Sequence, residues 1–293
     1  MNILEQVNYP LISVVIPSFN QGNYIEETIL SVIGQEYPKL ELIIIDGGST
    51  DNTVEIIKKY AHKISYWHSK PDKGQADAIN QGMRLSSGEV LCWLNSDDMY
   101  LPGALLDIGR KFAGLTDQNY LIYGITMIVK QDSDRIHSVY HPIIPFEQFS
   151  LTYNDFIAQP SAFWTRKLWQ STGELNLNYN YVLDWDWFIR ASKITKFDYV
   201  PKVYAIYRNH SINKTNNGAF ARRKEISEVV TKYSSDYWSK LYIEVERYYP
   251  KIAEFINESQ LPKRSLLLPL LFPKLGFILK NVQDLYTVLT MYG

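Results

Sequence analysis

The sequence has little of several features that would by themselves identify a class of protein. Its 293 residues include one cysteine, Cys92, which cannot form an intrachain disulfide, so we expect a reducing compartment. The formal net charge of −1 lacks the basic excess of a nucleic-acid-binding face, and no nucleic acid is expected as a partner. The N-terminus lacks the basic start and long apolar core of a signal peptide, so no export is expected.

Two glycine-rich phosphate-binding motifs are also absent. The turn after the first predicted strand has no G-x-G-x-x-G, and no G-x-x-x-x-G-K-[ST] occurs in the chain. A dinucleotide-binding Rossmann site and a phosphate loop are therefore not expected. A sugar nucleotidyltransferase would need a glycine-rich basic loop after that strand, and Ser18-Phe19-Asn20 is not one.

What the sequence does contain is an alternation of short apolar runs with segments of helical periodicity. The predicted strands cover 11–17, 40–45, 64–68 and 90–94. Pro17 is predicted to end the first strand, and Asn23 to cap the helix that follows. This alternation predicts a doubly wound, parallel α/β sheet, and 46% hydrophobic residues suffice for a sizeable core.

An acidic pair directly follows the most apolar of these strands. Val90–Leu94 runs into Asn95 and Ser96 and then into Asp97 and Asp98. Ligands of open α/β sheets bind at the carboxyl ends of the strands, and a hard divalent cation would relieve the repulsion between adjacent carboxylates. The alternative is a turn that only leads to the helix opened by Pro102.

Two further acidic positions follow the same logic. Asp46 ends the second strand before Gly47 and Gly48, where a turn-forming aspartate is the simpler interpretation. Asp184 precedes the helical pattern of Trp187 and Arg190 and is predicted to be its N-cap.

Several sequence blocks together resemble glycosyltransferase family 2. The blocks are SVVIPSFN at 13–20, IIDGGSTD at 44–51, DKGQ at 72–75, NQG at 80–82 and LNSDD at 94–98. They occur in the family's order, and the resemblance spans about 11–210. It implies the GT-A fold: a doubly wound, mostly parallel sheet with an acceptor-side α+β region and, in this chain, a helical C-terminal extension. It also implies a nucleotide-sugar donor.

The resemblance assigns roles to individual residues. Asp46 would contact the base or ribose, Asp97 the ribose or metal, and Asp98 a Mn or Mg ion on the diphosphate. The histidine of the Arg-x-His segment, His210, would be a further metal ligand, with a surface role as the alternative. The remaining residues implied in donor binding are Pro17, Phe19, Asn20, Gly48, Lys73, Gly74, Asn95, Asp186 and Arg208. For Lys73, a solvated loop lysine is the alternative.

The block at 184–190 is similar to the family's Glu-Asp-x-Asp block and implies the catalytic base. Asp184 is the predicted base and Asp186 its support, while the alternative leaves Asp184 as a cap alone. A carboxylate at a helix N-terminus stays ionised, as a general base must be at neutral pH. The sequence departs from the family at three sites, with Gly47 for a second aspartate, Asn95 for the first aspartate of Asp-x-Asp, and Leu183 for the glutamate.

The predicted domains are 1–215 and a helical region at 216–293. The first would comprise a donor half, about 1–100, and an acceptor half, about 101–215. Residues 266–279 are the most apolar run, flanked by Lys263, Arg264 and Lys280. As a helix this run would reach about 21 Å, short of a hydrocarbon core of about 30 Å, so it is not expected to span a membrane. Residues 262–293 are expected either to contact a membrane surface or to pack on their own domain or a second subunit of a homo-oligomer.

The resemblance implies an inverting, metal-dependent glycosyltransferase, and together with the C-terminal segment it suggests a glycan or lipid-linked acceptor. Its setting would be bacterial-type polysaccharide or glycolipid assembly, in the cytoplasm or at the inner face of the cell membrane. The alternative is a non-catalytic nucleotide-sugar or glycan binding protein of the same fold, suggested by Asn95 and Leu183.

Overall fold

The computed structural model describes residues 8–132, 135–140, 146–211, 213–214, 218–259 and 278–292. The chain divides into two compact units. The first comprises Met1–Phe146 and Phe156–Ser211, and the second Glu147–Asp155 and Ile212–Gly293. Most of the apolar run at 266–279 lies outside the described residues.

The first unit is built on one nine-stranded sheet with the order β3-β2-β1-β4-β8-β6-β9-β5, and β7 pairs with β6. The strands are β1 Ile12–Ser18, β2 Leu40–Asp46, β3 Tyr66–Ser69, β4 Val90–Trp93, β5 Met99–Tyr100, β6 Leu121–Asp132, β7 Arg135–Tyr140, β8 Ala162–Thr165 and β9 Phe197–Asn209. Its helices are α1 Ile25–Ile33, α2 Thr53–Lys59, α3 Gln75–Leu85, α4 Ala104–Phe112, α6 Arg166–Thr172 and α7 Leu183–Ser192.

The predicted strand–helix alternation forms the parallel half of this sheet. β1 pairs in parallel with β2 and β4, and β2 pairs in parallel with β3. All residues of β1 and β4 are buried, as expected of strands covered on both faces. The carboxyl ends of four neighbouring strands therefore meet at one edge of the sheet.

Two local predictions in this half are wrong. Pro17 does not end β1, which continues to Ser18, because β4 pairs with β1 only as far as Val15. Beyond Val15, β4 no longer pairs with β1. Pro17 can therefore lie in the strand although it has no N–H group to donate to a neighbouring strand on that side. Asn23 does not cap α1, since Tyr24 occupies the cap position and no side chain accepts a hydrogen bond there.

The other half of the sheet is mixed. β8 is antiparallel to β4 and β6, and β5 is antiparallel to β9, whereas β6 and β9 are parallel. The acidic turn lies between β4 and β5. Because β8 pairs with β4 and β9 pairs with β5, residues that come much later in the chain lie beside this turn. The doubly wound α/β class is as predicted, with its parallel pairs concentrated in β1–β4.

The second unit contains four helices among its described residues. They are α5 Gln148–Leu151, α8 Ala219–Tyr233, α9 Asp236–Ser259 and α10 Val282–Tyr292. The Tyr292 hydroxyl donates to the Tyr242 carbonyl at 3.1 Å, and Leu285 and Val288 are fully buried. α10 therefore packs on its own unit. No helix among the described residues is both long and apolar enough to cross a membrane.

Candidate active site

The acidic turn at the end of β4 is held by hydrogen bonds within and around it. The Asp98 amide donates to the Asn95 carbonyl at 3.0 Å, and the Asn95 side-chain amide donates to Asp98 Oδ2 at 3.2 Å. Gln75 Nε2 in turn donates to Asn95 Oδ1 at 2.8 Å. Asn95, a departure from the family, thus orients the Asp98 carboxyl.

The two carboxyl groups of this turn have different surroundings. Asp98 is fully buried, and burial, together with the neighbouring charge of Asp97, raises its pKa well above the usual range for aspartate. Asp97 is half-buried, and its Oδ2 lies 3.2 Å from Nε2 of His210. A bound cation would offset the repulsion between the carboxylates.

The oxygen and imidazole donors of Asp97, Asp98 and His210 suit Mn²⁺ or Mg²⁺ in type. In the described part of the chain, no group of three or more acidic, histidine or cysteine side chains is arranged so that it could hold a metal ion. Of the three predicted ligands, Asp97 and His210 are in contact, and Asp98 is the buried neighbour of Asp97 in the same turn.

Arg208 holds the acidic turn against α1. Its backbone amide donates to Asp98 Oδ1 at 3.3 Å, and its Nε donates to the Asp97 carbonyl. Nη1 pairs with Glu27, while Nη2 donates to the Tyr24 carbonyl and to Thr28 Oγ1, both at 3.0 Å. All three guanidinium nitrogens thus contact protein atoms, which favours a positioning role over the predicted contact with donor.

Sequence reasoning missed Tyr24 and Thr28. The Tyr24 ring stacks on His210 with centroids 4.1 Å apart and planes 14° apart. Thr28 Oγ1 contacts the carbonyls of Ser96 and Asp98 at 2.9 and 2.8 Å. No local pattern in the sequence distinguishes these two residues, because their partners lie far away along the chain.

Asp46 is completely buried, and both oxygens of its carboxylate accept hydrogen bonds from other protein groups. Oδ2 accepts from the Gly48 amide at 3.1 Å, the Ser49 amide at 2.8 Å and Ser69 Oγ at 2.6 Å. Ser49 Oγ donates to Oδ1 at 2.5 Å. The structure therefore makes Asp46 the organiser of its loop, and its predicted contact with the base or ribose stays a prediction.

The predicted donor-binding residues after β1 lie beside the loop that Asp46 organises. The Asn20 side chain accepts from the Thr50 amide at 2.9 Å, and the Asn20 amide donates to Ser49 Oγ at 2.7 Å. The Phe19 side chain is 59% exposed, so its ring is free to meet a ligand. Gly48 has φ +87°, a conformation that favours glycine.

Two predicted residues lie in the loop after β3. The Lys73 side chain is exposed, whereas its amide donates to Asp77 Oδ2 at 3.1 Å. Gly74 has φ +107° and lies just before α3, and its amide donates to Asp72 Oδ1 at 2.7 Å.

Asp184 and Asp186 both lie in the first turn of α7, in contrasting environments. Asp186 is buried, and its Oδ2 pairs with Arg190 Nε at 2.9 Å. Asp184 is half-buried, and its Oδ1 lies 2.9 Å from the Trp185 amide. The predicted N-cap is wrong: Val182 is the cap residue, because α7 already begins at the buried Leu183. Of the two carboxylates, Asp184 is the more accessible.

Comparison with known sequences gives a consistent family. Residues 13–170 match the family described as glycosyl transferase family 2. An uncharacterised glycosyltransferase of Rickettsia typhi is 27% identical over 73% of this chain and 69% of its own length. A PGL/p-HBAD biosynthesis glycosyltransferase of Mycobacterium bovis is 29% identical over 62% of this chain and 70% of its own length. A much longer Rickettsia bellii glycosyltransferase is 33% identical over 45% of this chain, which spans 19% of it.

Solved structures share the fold. Residues 1–349 of S. aureus TarS in complex with UDP align with a TM-score of 0.57 and 16% identity, over 96% of this chain and 90% of that one. The mannosyltransferase PcManGT from Pyrobaculum calidifontis, in complex with GDP-Man and Mn²⁺, aligns with a TM-score of 0.55 and 18% identity, over 97% and 87%. The predicted GT-A fold class is thereby confirmed.

Proposed function

The chain belongs to glycosyl transferase family 2, and we propose that it moves a sugar from a nucleoside diphosphate donor to an acceptor hydroxyl with inversion. The observation that carries this proposal is the contact between Asp97 and His210 beside buried Asp98, at the carboxyl end of β4. Polar groups converging at that edge mark the ligand crevice of an open α/β sheet.

In this proposal Asp97, Asp98 and His210 would hold Mn²⁺ or Mg²⁺ when the donor is bound. A divalent cation, when bound, stabilises the negative charge that develops on the departing diphosphate. The Mn²⁺ complex of PcManGT supports this assignment. Arg208 and Asn95 keep the two carboxyl groups of the turn in place.

The proposed base is Asp184. It accepts the proton of the acceptor hydroxyl as the oxygen attacks the anomeric carbon from the face opposite the diphosphate, which gives inversion. Asp186 is a poorer base because it is buried and paired with Arg190 at 2.9 Å. Its charge instead orients Arg190 on the same helix, and Arg190 donates to the carbonyls of Thr172 and Glu174.

The names and ligands of similar proteins support the proposed donor and acceptor classes. TarS and PcManGT are in complex with UDP and GDP-Man, which supports a nucleotide-sugar donor here. The mycobacterial relative is named for PGL/p-HBAD biosynthesis, which supports a glycan or lipid-linked acceptor. We place the reaction in polysaccharide or glycolipid assembly at the cytoplasmic face of a membrane, with residues 262–280 as the membrane-contacting segment.

Release of nucleoside diphosphate from a panel of nucleotide sugars, with Mn²⁺ present, tests the proposal. One donor should be turned over, faster when a hydroxyl acceptor is added, and its product should carry the inverted anomeric configuration. A chain that is thermally stabilised by nucleotide sugars but releases no diphosphate from any of them would be a binding protein, and the proposed transfer would be wrong.

A further inference from the structure

Gly47 leaves a space that another residue fills. A Cβ atom built on Gly47 would lie 2.9 Å from Oδ2 of Asp72, closer than real Cβ contacts. Gly47 is not among the residues with positive φ, so its backbone does not itself require glycine. The missing side chain therefore serves to make room for the Asp72 carboxylate.

The Asp72 carboxylate is held by one oxygen and offers the other. Oδ1 accepts from the Gly74 amide at 2.7 Å. Oδ2 faces Gly47 and accepts no hydrogen bond from the described residues. The side chain is half-buried, and burial raises the pKa of Asp72, with the charges of Asp77 and Asp46 adding to the rise.

The position of Asp72 in the sheet determines which part of a bound donor can lie within its reach. β4, β1, β2 and β3 are consecutive neighbours in the sheet, so the end of β3 lies three strand spacings, about 14 Å, from the end of β4. A donor whose diphosphate lies at Asp97 and His210 and whose nucleoside extends along this edge brings its base toward β2 and β3. At the end of β2, the carboxylate of Asp46 already accepts hydrogen bonds from protein donors.

We propose that Asp72 selects the donor's nucleobase by accepting a hydrogen bond from a ring N–H of uracil type. The inference rests on the proposed function, since it needs a nucleoside diphosphate in the crevice. A carboxylate oxygen accepts from a neutral N–H but repels phosphate and the lone pair of cytosine N3. One available oxygen matches the single ring N–H of uracil, whereas guanine presents adjacent ring and amino donors that need two acceptors.

Binding constants for UDP and CDP, measured by calorimetry with Mn²⁺, test this assignment. The wild type should prefer UDP over CDP and GDP. Asp72→Asn should lower the ratio of UDP to CDP affinity by about 10- to 100-fold, the effect of losing a hydrogen bond to a charged group. Asp77→Asn is the matched control: it removes a nearby charge and should leave the ratio unchanged.

A swap of the two positions makes the test specific. Gly47→Ala should lower the ratio because its Cβ displaces the Asp72 carboxylate. The double variant Asp72→Ala/Gly47→Asp should recover most of the preference for UDP. Its carboxylate, attached at position 47, would occupy the space that the Asp72 carboxylate fills in the wild type. Melting temperatures and Mn²⁺-dependent binding of inorganic pyrophosphate, which lacks a base, should remain close to wild type in every variant.

The outcomes separate the two proposals. If the wild type prefers UDP while Asp72→Asn and Gly47→Ala keep its ratio, the assignment of Asp72 is wrong and the proposed transfer stands. A wild type that prefers CDP or GDP also overturns the assignment alone. If the wild type binds no nucleoside diphosphate, the proposed function fails and the assignment fails with it.

Discussion

The rings of Trp187 and Trp164 lie with their centroids 4.8 Å apart. Trp187 is on α7, the helix of Asp184, and Trp164 is on β8. Trp164 also lies 5.2 Å from Trp93, the last residue of β4 before the acidic turn. These fully buried rings link the helix of the proposed base to the strand of the proposed metal site.

Removing the central ring should destabilise the first unit. Trp164→Ala leaves a cavity among Trp93, Trp169 and Trp187 and should lower the free energy of unfolding by about 3–5 kcal/mol. Trp164→Phe should cost less, because it keeps an aromatic ring. Denaturant unfolding measures both, with the exposed Leu177→Ala as a control. A loss below about 1 kcal/mol for Trp164→Ala would contradict this packing.

Asp46 should be more important for folding than for any direct contact with donor. Asp46→Ala removes the acceptor of the Gly48 and Ser49 amides and of two hydroxyls, so unfolding free energy should fall by about 1–3 kcal/mol or more. Asp46→Asn keeps one oxygen acceptor and should cost less. Equal stability of Asp46→Ala and wild type, with loss of nucleotide binding alone, would instead support a direct contact with the base or ribose.

The metal proposal predicts that Asp98 is needed for the effect of Mn²⁺. Asp98→Asn should weaken Mn²⁺-dependent binding of nucleoside diphosphate and remove most of the difference between Mn²⁺ and chelator. Because burial and Asp97 raise the pKa of Asp98, protons should compete with Mn²⁺ at a higher pH than for an ordinary aspartate. A wild type that binds equally well in excess chelator would show that Asp98 is structural.

The segment at 262–280 should contact membranes through its basic residues. Replacing Lys263, Arg264 and Lys280 with glutamate should reduce sedimentation with anionic vesicles and leave nucleotide binding intact. Charge reversal is preferable to truncation, since truncation would also remove α10, whose Leu285 and Val288 are buried. If the wild type does not sediment with anionic vesicles, the segment does not bind such a membrane surface.

Short-range features of the fold and site could be predicted from the sequence. The buried strand β4 and the turn at Asn95–Asp98 follow from an apolar run and the polar residues after it. Long-range relationships could not. His210 meets Asp97 because β9 pairs with β5 and β6, and only the family resemblance indicated this contact. Local rules also failed at Asp184, because buried Leu183 begins α7 two residues earlier than the cap pattern indicated.

The relationship between Gly47 and Asp72 shows the same limit. Each residue alone is typical of a turn, and a spacing of 25 residues gives no periodic signal. Only the parallel pairing of β2 with β3 places their loops side by side.

The rate of diphosphate release at saturating donor and acceptor, compared between Asp184→Asn and Asp186→Asn, tests the account most directly. Asp184→Asn should fold, bind donor as wild type does, and lose about 10²- to 10⁴-fold in rate, the usual contribution of a positioned general base. Asp186→Asn should lower stability by about 1–3 kcal/mol, because Arg190 loses a charged partner, and change the rate of the folded enzyme by less than about tenfold. The opposite pattern, with the rate lost in Asp186→Asn and kept in Asp184→Asn, would contradict the assignment of the base.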